Sequence, residues 1–404
     1  MEPKESVSEY HSFLRNEDYS EKWTMCSEKE ARNRSRCKEL SMLECTSETF
    51  HLPPRNRVPH PQRCVKKYRR SAAGGGVFSD LINRSLSELQ YTVNYLLGVI
   101  LPTQRSCQEM EKQDLIKIVD FVEDRLRAVQ VDVTKLNISS TNTHSSDLLR
   151  LLSMEARIVR STILIPYLLS DLSSQKYQRK FANAALCTAF SQFFSVADLL
   201  EVFDDDTHAL IDEIQSYAAL CHLVFVLSTN ETAMPLPTNV YYASNTCNQG
   251  NGISAMEGSF LRYCHHFAGL CKKYDVVFPR WRWALEVAAS AQNGNFVRFF
   301  NLFTKYQNLN FSEQNTAKGF ANFERQRWEI LTRCTLAQVI PLIRIGMMRQ
   351  YNKCFGKLEK VSVENVSTYL NYSFKRQICL DSLQFLQFQN FVQKLALLTQ
   401  RNDK

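Results

Sequence analysis

The chain has 404 residues, 44% of them hydrophobic with 25 phenylalanines, which excludes a wholly disordered chain and is enough for two or three domains or one long helical array. Its 12 glycines and 11 prolines are few, which favours helices and speaks against an enzyme built on a Gly-rich phosphate loop. The 13 cysteines include no CxxC pair, which points to a reducing compartment and against a disulfide framework, while the net charge of +8 makes the placement of charges more telling than their sum.

Residues 1–20 are polar and read as a mobile tail, and the start MEPKESVSEYHSF lacks the apolar segment of a secretory signal. From Trp23 a short helix is expected, with Ser27 and Glu30 as a capping box, followed by Arg32, Arg34, Arg36 and the apolar Leu40 and Leu43. Pro53, Pro54, Pro59 and Pro61 then make an extended connector, because each proline disfavours helix at the residue before it. It leads to Arg63, Lys66, Lys67, Arg69 and Arg70, five cations in eight residues with Tyr68 among them. Such a cluster serves as a nuclear-import signal, as a contact to a nucleic-acid backbone, or as a structural strip lying along acidic faces such as Asp120, Glu123 and Asp124. The structural role is favoured, and Gly74 to Gly76 end the segment flexibly.

A succession of helices with short polar breaks follows. The first spans Leu81 to Leu101 and is closed by Pro102. The second, Leu115 to Asp132, is the cleanest amphipathic helix of the chain: Leu115, Ile118, Val119, Val122, Leu126 and Val129 draw one apolar stripe. Its other face carries Asp120, Glu123, Asp124, Arg125 and Arg127, spaced to couple with one another or with a second segment. Further helices are expected over Asp147–Leu169, Ser174–Phe203, Thr207–Leu227 and Ser254–Lys273, with the longest interruption between Thr229 and Gly252. The longest apolar run, Tyr217 to Leu227, is about half of what a membrane span needs.

At Trp283 to Phe300, Ala284, Ala288 and Ala291 provide a small face for close helix packing. Gly294 suits the left-handed turn that ends one helix, and Asn295 suits the cap of the next. Phe296, Phe299, Phe300 and Phe303 follow at helical spacing and read as core. Beyond Phe323 a long helix broken near Pro341 is followed by Arg344, Arg349, Lys353, Lys357 and Lys360 in a short span, then a helix from Val363 and a second from Phe374 carrying Lys375 and Arg376. LQFLQFQNF at Leu383–Phe391 alternates in part, so helix, turn, helix and wing hairpin give the order of a winged helix.

Chemistry is thinly represented. Cys264-His265-His266 with Cys271 is the best metal-like cluster, but the histidines point away from the cysteine face. Asp204-Asp205-Asp206 with His208 reads as a helix amino-terminus, where acids suit the dipole. With no phosphate loop, nucleophile elbow or zincin motif, the expectation is a protein that is not an enzyme and needs no cofactor or metal.

Three separated stretches carry a family resemblance. DFVEDRLRAV at Asp120–Val129 resembles the signature helix of the Sac-three/GANP family, scaffold subunits of the nuclear transcription-export complex. Gln62 to Gly74 resembles its Arg-Ala-Val-Lys-x-Tyr-x-Arg-Ser/Pro-Ala-Ala-Gly block, with Cys64 in place of the small residue. Gly294-Asn295 with Arg298 and Phe299 is similar to its Gly-Asn-x-x-Arg-Phe-Phe element, shared with the wider PCI scaffold class. Met25-Cys26 is what remains of the family's Cys-Pro-x-Met-Cys-Pro run; the first Cys and both prolines are missing, which removes any case for zinc there.

The resemblance implies an all-α chain: a right-handed solenoid of antiparallel helix pairs, TPR-like or PCI-type, ending in a winged helix. Its expected organisation is a tail over 1–20, family motifs and connector wrapping the body over 21–76, a helical scaffold over 77–320 and the winged-helix end over 321–404. It also implies an adaptor in nuclear mRNA export that pairs with a PCI-domain subunit and a small acidic subunit, binds RNA, and touches neither membrane nor small-molecule substrate. Arg344, Arg349, Lys353, Lys357, Lys375 and Arg376 are the expected RNA contacts; Asp124, Arg125, Arg127, Gly294, Asn295, Arg298 and Phe299 form the structural signature. The expected location is the nucleus, with cytoplasm or centrosome as others. The competing functions are a centrosome or spindle structural factor, and a PCI scaffold of the proteasome-lid or initiation-factor kind.

Overall fold

The computed structural model describes residues 22–69, 84–101, 112–136, 138, 144–169, 179–200, 204–229 and 278–305, and, further on, 327–337, 339, 340, 343, 344 and 347. Among these residues regular structure is helical, with one isolated antiparallel bridge between Cys45 and Pro59. The fold class is therefore all-α. The helix expected over Ser254–Lys273, the cysteines and histidines within it, and the wing hairpin over 383–391 lie outside the described residues.

The described residues fall into two compact units, with the division between Met154 and Glu155. The first opens with α1, Glu28–Arg36, whose first turn is capped by Ser27 Oγ accepting from the Glu30 amide at 3.2 Å. The reciprocal half of the expected capping box is absent, because the buried Glu30 carboxylate accepts from the Lys67 amide instead, at 3.0 Å. A 3₁₀ turn, Met42–Glu44, closes its own box through Ser41. Next comes α2, Leu86–Tyr95, prolonged by a π-helical turn over Leu96–Ile100. It starts five residues later than the periodicity suggested, since Ser85 and Glu88 form a full capping box and leave Arg84 outside the helix.

The long amphipathic helix is α3, Lys112–Lys135, and all six residues of its apolar stripe are buried. α4, Ser145–Leu168, runs through the division between the units. In the first unit its Arg150 fastens it to α2 by donating to Gln90 Oε1 at 2.8 Å and to Ser87 Oγ at 3.3 Å.

The second unit continues with α5, Arg179–Ala197, and α6, Asp205–Thr229. Asp204 caps α6 by accepting from the Thr207 amide at 2.8 Å, so the acid run is a helix start, as its composition suggested. From Ile211 to Leu223 every residue of α6 is buried, which makes it the axis of this unit. α7, Pro279–Gln292, packs along it and turns into α8, Phe296–Lys305.

Two adjacent acids organise this core. Asp212 accepts from the Arg280 and Trp281 amides at 3.1 and 2.9 Å, so a side chain of α6 caps α7, where Pro279 has no N–H to offer. Glu213 accepts from Arg160 of α4 at 2.9 Å on each oxygen, from the Tyr217 hydroxyl at 3.1 Å, and from Arg327 of the helical segment over 327–337. Burial alone would raise the Glu213 carboxyl, but the Arg160 and Arg327 guanidiniums outweigh it and hold the group well below the usual carboxylate range.

Between α7 and α8 the chain makes a Schellman turn. The Asn295 amide donates to Ser290 O at 2.9 Å and the Gly294 amide to Ala291 O at 3.2 Å, with Gly294 at φ 71°. Asn295 Oδ1 then accepts from the Arg298 amide at 3.1 Å and starts α8. Phe299 and Phe300 are buried and Phe296 half-buried, consistent with a core role.

Candidate functional site

The basic segment that the sequence singled out lies in the first unit, where it separates into buried and surface halves. Arg63 is buried and donates from Nη1 to Cys45 O at 3.2 Å. Lys66 is also buried, its ammonium on both oxygens of Asp132 of α3 at 2.7 and 2.9 Å. Arg84 reaches the same carboxylate from the other side, Nε to Oδ2 at 2.9 Å. Lys67 and Arg69 stay near the surface and share Glu39, at 3.2 and 3.6 Å. Arg70 lies outside the described residues.

The backbone of this segment is held even more closely. Four consecutive amides donate to four different residues: Val65 to Glu44 Oε1 at 3.1 Å, Lys66 to Met25 O at 3.0 Å, Lys67 to Glu30 Oε1 at 3.0 Å, and Tyr68 to Asp124 Oδ2 at 3.2 Å. An extended strip has no internal hydrogen bonds, so buried N–H groups need outside acceptors. Here three carboxylates supply them where a sheet would have used a neighbouring strand. The strip thereby ties α1 and the turn after it to α3.

Glu44 is the centre of the arrangement and is fully out of solvent. Its carboxylate accepts from Arg34 Nη1 at 2.8 Å on both oxygens, from Arg125 Nη2 at 3.0 Å, from the Val65 amide, and from the Ser41 amide at 3.3 Å. Arg34 Nη2 donates to Val65 O at 3.1 Å, so both polar groups of the Val65 backbone rest on one ion pair. Burial would raise the Glu44 carboxyl; Arg125 and Arg34 more than offset that and keep it below its ordinary value. Arg125 also pairs with Asp124 and lies over the Phe121 ring, 4.5 Å from its centroid.

Three thiols surround this centre. Cys26, Cys45 and Cys64 share one apolar cluster with Ala31 and Leu40. Burial pushes Cys26 and Cys45 up to about 12 and Cys64 well above the usual thiol value, so none is a thiolate at neutral pH. Among the described residues no group of three or more His, Cys, Asp and Glu is arranged to hold a metal. The site's chemistry is the fixing of charges, which sets the relative positions of α1, the strip and α3.

The other sequence-selected residues are placed as follows. Arg127 is half-buried on α3. Gly294, Asn295 and Phe299 form the turn and core of the second unit, and Arg298 sits on its surface against Glu286 at 3.5 Å. Arg344 is only 8% exposed. Arg349, Lys353, Lys357, Lys375 and Arg376 lie outside the described residues. Of the strip's acidic partners, Asp124 lies on the acidic face that the sequence offers for it, and Asp132, Glu30, Glu39 and Glu44 do not. Nothing in the local spacing singles out those four, except that Glu44 follows Ser41 at the capping-box interval.

No helix among the described residues is long and apolar enough to cross a membrane. Neither a curated protein nor a solved structure matches the chain. A model of the SAC3/GANP family does, over residues 25–387. That span begins at the Met25 whose carbonyl receives the strip and includes both the Asp124-Arg125 helix and the Gly294-Asn295 turn. The chain therefore belongs to the SAC3/GANP family.

Proposed function

We propose that the chain is a non-enzymatic scaffold of nuclear mRNA export coupled to transcription, which engages a PCI-domain subunit and a small acidic subunit and binds RNA. The observation that carries this reading is the family match over nearly the whole chain, since the SAC3/GANP family is a scaffold family of mRNA export. The chemistry of the described residues agrees with it: buried thiols, caps and ion pairs hold elements in place. In this reading the helices from α2 onward form a PCI-type solenoid, residues 321–404 end it as a winged helix, and the strip over 62–69 locks the amino-terminal motifs to the body.

RNA contact is assigned to Arg349, Lys353, Lys357, Lys375 and Arg376, cations of the winged-helix region. The test is RNA binding by the purified chain, alone and with a PCI-domain partner, across a salt series. With those five residues changed to glutamate and the fold retained, affinity falls and the salt dependence becomes shallower. Unchanged binding removes that site. Co-purification with centrosomal or proteasomal subunits in place of export subunits removes the export reading.

A further inference from the structure

Residues 22–69 contain twelve of the chain's 49 Lys and Arg but only five of its 41 Asp and Glu, a net of +7 against +8 for the whole chain. Folding sharpens this imbalance. Glu30 and Glu44 go inside with Arg34, Arg63 and Lys66, which leaves nine cations and three carboxylates at or near the surface of this module. Two of those carboxylates are engaged: Glu28 holds Arg32, and Glu39 is shared by Lys67 and Arg69.

The surplus gathers at the carboxyl-terminal end of α1. Arg36 closes that helix, and Lys38 follows in the left-handed position of a Schellman turn, at φ 62°, where its amide donates to Ser35 O at 3.1 Å and the Glu39 amide to Arg34 O at 2.8 Å. The 3₁₀ turn Pro54–Asn56, carrying Arg55, packs against α1, and Ser35 Oγ donates to Arg57 O at 2.8 Å. Arg36, Lys38 and Arg55 are all exposed. Three elements thus present cations to one region of surface, with Lys67 and Arg69 joined to it through Glu39.

We infer that this face of the amino-terminal module is a second RNA-contact surface, separate from the cations of the winged-helix region, that binds the phosphate backbone without reading bases. Phosphate contact needs clustered cations and little else, and gains from counterion release. A protein partner would instead call for an aromatic anchor at the centre of the patch. The module turns its Trp23 and Phe50 inward against the Cys26–Leu40 cluster. That distribution of rings and charges favours a polyanion with regularly spaced charges over an acidic protein surface.

The experiment uses the full chain, a single-stranded oligouridine as probe, and a variant with Arg36→Glu, Lys38→Glu and Arg55→Glu, beside one with the same three residues changed to Gln. Thermal melting checks that both variants fold. The expected results are at least tenfold weaker binding by the Glu variant, a smaller loss with Gln, and a salt slope shallower by about 2, since each single-strand phosphate contact contributes about 0.7. The loss adds to that of the winged-helix variant and is seen even if that variant binds normally, so the two assignments fail separately. Folded variants with wild-type affinity and slope overturn the inference. So does polyglutamate that competes as well as RNA at equal charge, which would make the face a site for acidic protein.

Discussion

The Glu44 carboxylate and the Arg125 guanidinium lie 3.0 Å apart, both buried, although 81 positions separate them in the chain. Glu44 belongs to the 3₁₀ turn Met42–Glu44 and Arg125 to α3, so this contact joins the amino-terminal segment to the helix that carries the family signature. Removing one partner leaves the other charge buried and uncompensated. Glu44→Ala is therefore expected to cost roughly 3–5 kcal/mol in chemical denaturation. In a cycle with Arg125→Met, the double variant is expected to lose less than the sum of the single losses. Additive losses would mean that the two charges do not feel each other.

Glu155 shows the opposite electrostatics. It is fully buried on α4, neither of its oxygens has a hydrogen-bond partner, and burial pushes its carboxyl up to about 8. A carboxyl raised in the folded state binds a proton on folding, so its destabilising effect grows as pH climbs from about 4.3, the unfolded value, to the folded one. Glu155→Gln is expected to flatten that decline and to stabilise the protein at about pH 8, by an amount on the order of a few kcal/mol. Glu44 and Glu213 run the other way. Held below their ordinary values, they stabilise above the unfolded carboxylate pKa, and that contribution is lost as pH falls through their folded values. Denaturant midpoints across pH, for wild type and Glu155→Gln, separate the two effects.

Thiol reactivity reports on the same centre. Cys37 is exposed, while Cys26, Cys45 and Cys64 are buried with raised pKa values. Iodoacetamide labelling read by mass spectrometry is expected to modify Cys37 in the native chain and to spare the other three until denaturant is added. Labelling of Cys64 in the native state would show that the strip is not seated.

Two Schellman turns give a paired test of backbone conformation. Gly294 and Lys38 both occupy the left-handed region, at φ 71° and 62°. Gly294→Ala is expected to destabilise, and Lys38→Gly to stabilise, each by about 1 kcal/mol. If Lys38→Gly also weakens RNA binding, the lysine at that turn is present for its charge.

What the sequence disclosed and what it hid follow from the range of the interactions. The Leu115–Val129 stripe was legible because helical period is local, and the Gly294-Asn295 turn because left-handed and capping positions select those residues. Asp204 announced itself as a cap for the same reason. The five cations between Arg63 and Arg70 looked alike, yet two are buried and two share one surface acid. That sorting depends on Asp132, Glu39 and Cys45, far from them in sequence. Asp212-Glu213 carried a faint signal, an acid pair inside an apolar helix, but Arg160 and Arg327 stand 53 and 114 positions from Glu213. No periodicity reports partners at such separations.

The measurement that bears most directly on this account is amide hydrogen exchange across Val65, Lys66, Lys67 and Tyr68. Each of the four amides has its own acceptor, on Glu44, Met25, Glu30 and Asp124 respectively. All four are expected to be protected to the level of the α3 core in the wild-type chain. In Glu44→Ala, Val65 should lose protection first. Exchange at unprotected rates in the folded wild type would contradict that expectation, and would return the basic segment to the surface as an import signal or a free nucleic-acid arm.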